Sequence, residues 1–97
     1  MERLNDEVIR QKLSKLPEWN LEEKLIHRRY RFASFPAAIA FVNRVAEIAE
    51  EKNHHPFISI DYKMVTVRLT SWHAGGLTDL DFNEAAYFDT VYAEMTD

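Results

Sequence analysis

The chain has 97 residues, 46% apolar and 29% charged, with a formal charge of −4 and no cysteine. That size fits one domain over residues 1–97, with a core small enough that self-association would help it. The missing thiols exclude disulfides, thiolate metal sites and a cysteine nucleophile, and they fit a reducing cytoplasm.

The opening stretch "MERLNDEVIR" is polar and charged, unlike a signal peptide. Asn5 reads as a helix N-cap, with Asp6 and Glu7 in the first turn and Leu4 and Ile9 at hydrophobic-staple spacing. Ile9, Leu13 and Leu16 repeat at helical spacing until Pro17, which predicts a short first helix. Trp19 to Leu21 reads as extended and "EEK" as a turn. Ile26 to Phe32 then alternates, completing a hairpin, with Ile26, Arg28, Tyr30 and Phe32 on one face. Arg28 interrupts that apolar face and predicts a solvated edge. Arg28, Arg29 and Arg31 form the one basic cluster, and against a negative chain this argues against direct nucleic-acid binding.

Ser34 caps a second helix, with Pro36 in its first turn. Ala38, Phe41, Val42, Val45, Ile48 and Ala49 form its apolar stripe, and the helix is predicted to run to about Lys52. Pro56 prevents it from continuing through His55. Ile58, Ile60 and Tyr62, then Val65, Val67 and Leu69, alternate with polar residues as a second hairpin. "GGLTDLD" leads into a third helix, with Thr78 and Asp81 at capping-box spacing and Ala85, Phe88, Tyr92 and Met95 as its buried stripe. The order α-β-β-α-β-β-α predicts an α+β, two-layer fold: an antiparallel sheet covered by helices on one face. No apolar run approaches the ~20 residues of a membrane span.

Polar residues gather at the junctions: Glu50 or Glu51, His54, His55, Trp72 and Asp81. The start of strand three lies near the end of strand four in such a hairpin, so the histidines are expected beside Trp72 and the Gly75–Gly76 loop. Each residue also has an ordinary structural explanation. The histidines could form a polar turn, Asp81 a helix cap, Trp72 a core or interface aromatic, and the glycines a tight turn. As chemistry, imidazoles titrate near neutral pH and suit general acid–base work. Adjacent histidines lack the i, i+4 geometry of a helical metal site, so no metal is expected. Trp72 would be a wall for a flat ring, and with Glu51, Gly75 and Gly76 it makes up the expected substrate-binding set.

Glu50, His54-His55-Pro56, Tyr62, Trp72 and Asp81, together with "FVNRVAEIAEEKNHHP", "GGLTDLD" and "LPEWNL", resemble the signature of the pterin-4a-carbinolamine dehydratases over nearly the whole chain. The resemblance implies a four-stranded antiparallel sheet with three helices on one face. It implies dehydration of 4a-hydroxytetrahydropterin to quinonoid dihydropterin, which recycles the cofactor of aromatic amino acid hydroxylases. By motif position, His54 and His55 would be the catalytic pair, with Asp81 supporting them. No cofactor is implied, because the reaction involves no redox change. A homodimer or homotetramer is expected, with a small-molecule pterin as partner, no membrane and no direct nucleic acid. The alternative is a non-catalytic scaffold on the same fold, a transcription coactivator or assembly factor. Many members of the family carry a third histidine where this chain has Trp72, and an indole N–H cannot shuttle protons near pH 7. If Trp72 faces the pocket along a strand, His73 faces away. Glu84 stands where an apolar residue is expected.

Overall fold

In the computed structural model, which describes residues 2–96, Asn5 caps α1 (Asp6–Leu13) by accepting the Val8 N–H at 3.0 Å. The helix stops three residues before the expected Leu16. The chain continues in tight turns, with Leu16 N–H on the Leu13 carbonyl and Trp19 N–H on that of Leu16. β1 (Asn20–Glu22) and β2 (Leu25–Arg31) follow, then α2 (Phe35–Lys52), β3 (Phe57–Asp61), β4 (Met64–Leu69) and α3 (Asp79–Thr96). Ser34 caps α2 by accepting the Ala37 N–H.

The four strands form one antiparallel sheet in the order β1-β2-β4-β3. β2 and β4 lie centrally, in a register that opposes Ile26 to Leu69 and Tyr30 to Val65. All four of these side chains are fully buried beneath the helices, together with Phe41 and Val45 of α2 and Phe88 of α3. Each such burial contributes roughly 1.5–3 kcal/mol relative to exposure. Tyr30 packs 4.6 Å from the Phe41 ring and 4.9 Å from that of Tyr92, which fixes both long helices over the sheet. The structure thus has the α-β-β-α-β-β-α order and the two-layer α+β architecture that the sequence predicts.

Two local expectations are corrected. Arg28 is not a solvated edge. Asp89 of α3 comes over it, its Nη1 donates to Asp89 Oδ1 at 2.7 Å, and its guanidinium lies 4.4 Å from the Tyr30 ring centroid. Charge pairing and cation–π contact together let an arginine occupy an inward position. Trp72 and His73 are not on a strand. β4 ends at Leu69, and Trp72–Ala74 is a single 3₁₀ turn, so the alternation that would set the two residues on opposite faces does not apply.

Candidate active site

The end of α2 explains how His54 is turned inward. Asn53 adopts a left-handed conformation (φ 52°, ψ 43°), its N–H bonds the Glu50 carbonyl, and the His54 N–H reaches back to the Ala49 carbonyl at 3.1 Å. This is a Schellman closure, with asparagine in the place glycine usually takes. It stops the helix before Pro56 acts. His54 emerges buried, with 8% exposure, whereas the His55 side chain is 55% exposed.

Asp81 meets His54 from the first turn of α3. His54 Nε2 donates to Asp81 Oδ1 at 2.6 Å. Asp81 Oδ2 accepts from the Ser71 hydroxyl at 2.8 Å and from the Thr78 N–H at 2.9 Å. The second of these is half of the expected capping box. The Thr78 hydroxyl serves the Leu80 N–H at 3.3 Å instead of the Asp81 N–H. Ser71 and Thr78 hydroxyls are 2.9 Å apart. Ser71 has one hydrogen and gives it to Asp81, so Thr78 is the donor in that contact. Asp81 therefore helps to cap α3 through one carboxylate oxygen and meets His54 through the other.

His55 is open to solvent, and its Nε2 lies 2.5 Å from Glu50 Oε2. The carboxylate beside His55 is thus Glu50; both glutamates are exposed, and Glu51 makes no ion pair among the described residues. Trp72 is 75% exposed and packs edge-on to Phe57 with ring centroids 6.0 Å apart. It lines a cavity of about 350 Å³ with Arg68, Thr70 and the β1–β2 turn. Gly75 has φ 75°, the left-handed turn for which glycine is suited. Gly76 pairs with Ser71 in a two-residue bridge, and a Cβ there would meet Arg3 Cδ at 2.7 Å, so its close neighbour is the N-terminal segment.

The structure thus brings His54 and Asp81 into contact, sets His55 on Glu50, and holds Trp72 against Phe57 two residues beyond His55. Ser71 was missed in the sequence because it lies past the strand alternation. Its only signal is its place just before Trp72. Glu84, expected to be apolar, is 1% exposed on α3, and neither of its carboxyl oxygens has a hydrogen-bond partner among the described residues. Burial first, and the Asp81 charge second, push its carboxyl up to about 8 from 4.5, with Lys52 opposing. No group of three or more metal-ligating side chains occurs among the described residues. No described helix is long and apolar enough to cross a membrane.

The family profile described as pterin 4 alpha carbinolamine dehydratase matches residues 2–91. A protein of Picosynechococcus sp., provisionally named a pterin-4-alpha-carbinolamine dehydratase, is 49% identical over 92% of this chain and 97% of its own length. One from Chloroflexus aurantiacus with the same provisional name is 48% identical over 94% of this chain and 98% of its own. Among solved structures, a transcriptional coactivator/pterin dehydratase from Brucella melitensis superposes with a TM-score of 0.90 at 28% identity, covering 94% of this chain and 99% of that one. A pterin dehydratase-like protein identified as a RuBisCO assembly factor shares the fold at TM-score 0.64 and 23% identity, over 76% of this chain and 86% of its own. With the profile spanning nearly every residue, the chain belongs to the pterin-4a-carbinolamine dehydratase family.

Proposed function

We propose that this protein dehydrates 4a-hydroxytetrahydropterins to quinonoid dihydropterins by general acid–base catalysis from His54 and His55. The observation that carries this reading is the buried His54–Asp81 contact at 2.6 Å, in a carboxylate whose other oxygen is already committed to Ser71 and Thr78. Asp81 fixes the imidazole through Nε2, which leaves Nδ1 as the ring nitrogen for proton transfer. A carboxylate that accepts several hydrogen bonds holds its partner ring in one orientation without moving itself.

The reaction breaks the C4a–O bond, releases the hydroxyl as water and forms the N5=C4a double bond. His54 delivers a proton to the departing oxygen. His55, open to solvent and paired with Glu50, takes the proton that N5 loses, so the two transfers balance with no net proton change. Each such transfer contributes roughly 10²–10⁴ in rate. Trp72 and Phe57 supply an exposed aromatic corner against which a bicyclic ring can rest. Asp81 is a positioning residue here, and no cofactor takes part.

The test is the ultraviolet change on adding a 4a-hydroxytetrahydropterin, with and without a chelator. We expect chelator-insensitive acceleration by the wild type, with kcat lowered roughly 10²-fold or more in His54→Ala and less in His55→Ala. A folded wild type that gives no acceleration would reject the reading and turn attention to a non-catalytic role such as the transcriptional coactivator role that the name of the Brucella melitensis protein includes.

A further inference from the structure

Glu84 is a carboxyl group placed where water cannot reach either oxygen, and no donor among the described residues meets them. A buried carboxylate without a partner is far costlier than a neutral acid, so the group holds its proton. It stands one helical turn beyond Asp81 on α3, a spacing that brings side chains to within roughly 5–6 Å at their Cβ atoms. The charged groups acting on it are Asp81 from its own helix and Lys52 from the end of α2. Lys52 is not spent on it. Its Nζ lies 4.9 Å above the Tyr87 ring, at a cavity of about 430 Å³ that Glu84 also lines. Because the Glu84 oxygens are closed even to water, a ligand in that cavity does not reach them.

Asp81 and Glu84, two of the carboxyls of α3, therefore differ in kind. Asp81 has three donors, and Glu84 has none among the described residues. Lys52 and His54 flank Asn53 at the end of α2, so the same turn of chain presents a cation toward Glu84 and an imidazole to Asp81. We propose that Glu84 is a positioning residue for the His54–Asp81 pair: a shielded proton holder whose neutral form leaves Asp81 as the one negative charge behind the His54 ring. When Glu84 ionises, a second negative charge faces Asp81, and His54 surrenders its proton to substrate less readily. Burial raises the carboxyl to about 8, which sets this change just above neutral pH.

The rate effect rests on the dehydratase reading, but the electrostatic coupling does not, and the experiment separates them. Carboxyl-carbon and imidazole-nitrogen resonances are followed by NMR from pH 5 to 10 in wild type, Glu84→Gln, Glu84→Leu and Lys52→Met. We expect Glu84 to titrate above pH 7, with a coincident step in the His54 ring signals that both Glu84 variants lose. Lys52→Met moves the step upward, because it removes the one opposing charge. In the dehydration assay the same step appears as a fall in wild-type kcat of roughly three-fold or more with KM unchanged, absent in Glu84→Gln. A Glu84 carboxyl that titrates in the ordinary range, or a His54 step that survives in Glu84→Gln, overturns the proposal whether or not the protein is active. Loss of turnover in all forms with the coupled step intact rejects the dehydratase reading and leaves the coupling standing.

Discussion

Two of the three aspartates of α3, Asp81 and Asp89, are each the focus of a hydrogen-bond cluster, and they are built for different ends. Asp81 accepts from an imidazole, a hydroxyl and a backbone N–H. Asp89 accepts from the Trp19 indole, the Arg28 guanidinium and the Tyr30 phenol, at 2.6–3.2 Å. The donors of the Asp89 cluster are side-chain types that do not ordinarily exchange a proton near neutral pH. Arg28 is permanently charged, and burial, reinforced by the bond to Asp89, drives the Tyr30 phenol far above its usual value. The Asp81 cluster contains an imidazole, the side chain that ordinarily titrates in that range. A many-bonded carboxylate therefore does not identify a reactive site by itself. What distinguishes the two is whether a partner can exchange a proton.

The largest expected effects test that distinction directly. Replacing Asp89 with Ala orphans the Tyr30 hydroxyl and the Arg28 guanidinium, whose Nε already lacks a partner. Urea denaturation should show a loss of roughly 3–5 kcal/mol, with the dehydration rate per folded molecule unchanged. Replacing Asp81 with Asn keeps the volume but cannot accept all three donors, and kcat should fall roughly 10²-fold beyond any loss of folded protein. The comparison breaks if the Asp89 variant loses rate while folded, or if Asp81→Asn keeps full rate.

Glu84 sharpens the comparison, because neither of its oxygens has a hydrogen-bond partner among the described residues. Its carboxyl is raised to about 8 in the folded chain from 4.5. The folded state therefore binds its proton more tightly, and stability falls as pH rises from near 4.5 to near 8, then levels off. The shift corresponds to on the order of 5 kcal/mol across that window. Glu84→Gln should be close to wild type at pH 5 and more stable by a few kcal/mol at pH 8.5, as measured by denaturant midpoints at each pH. Equal pH slopes in the two proteins would mean that Glu84 is solvated and not closed off as described.

The sequence made the fold legible because its signals were local and repeated. Asn5 and Ser34 cap where they stand, and the alternation from Ile26 and from Val65 marks the central strands. It was less informative where one long-range contact decides the outcome. Arg28 reads as an edge residue until Asp89, 61 positions away, covers it. Trp72 reads as strand because the chain has not yet been seen to turn at Ser71. In the candidate site, His54 and Asp81 were legible from their motif and their cap position. Glu50 and Glu51 are adjacent carboxylates, and only the helix phase at its closing turn shows that Glu50 is the one beside His55.

The smallest effect concerns the hydrogens of the Asp81 cluster. Ser71 spends its single hydrogen on Asp81, so Thr78 must donate to Ser71 while its oxygen also receives the Leu80 N–H. Thr78→Val preserves shape and removes both functions at a fully buried position. A cap and one buried hydrogen bond are together worth roughly 1–2 kcal/mol. For a chain of this length each kcal/mol lowers the melting temperature by about 4–8 °C. Thr78→Ser keeps the hydroxyl and should recover most of that loss. A melting temperature unmoved by Thr78→Val would mean that Ser71 finds its hydrogen elsewhere. The Asp81 cluster would then be less tightly ordered than the Asp89 cluster, whose guanidinium and indole N–H groups can only donate.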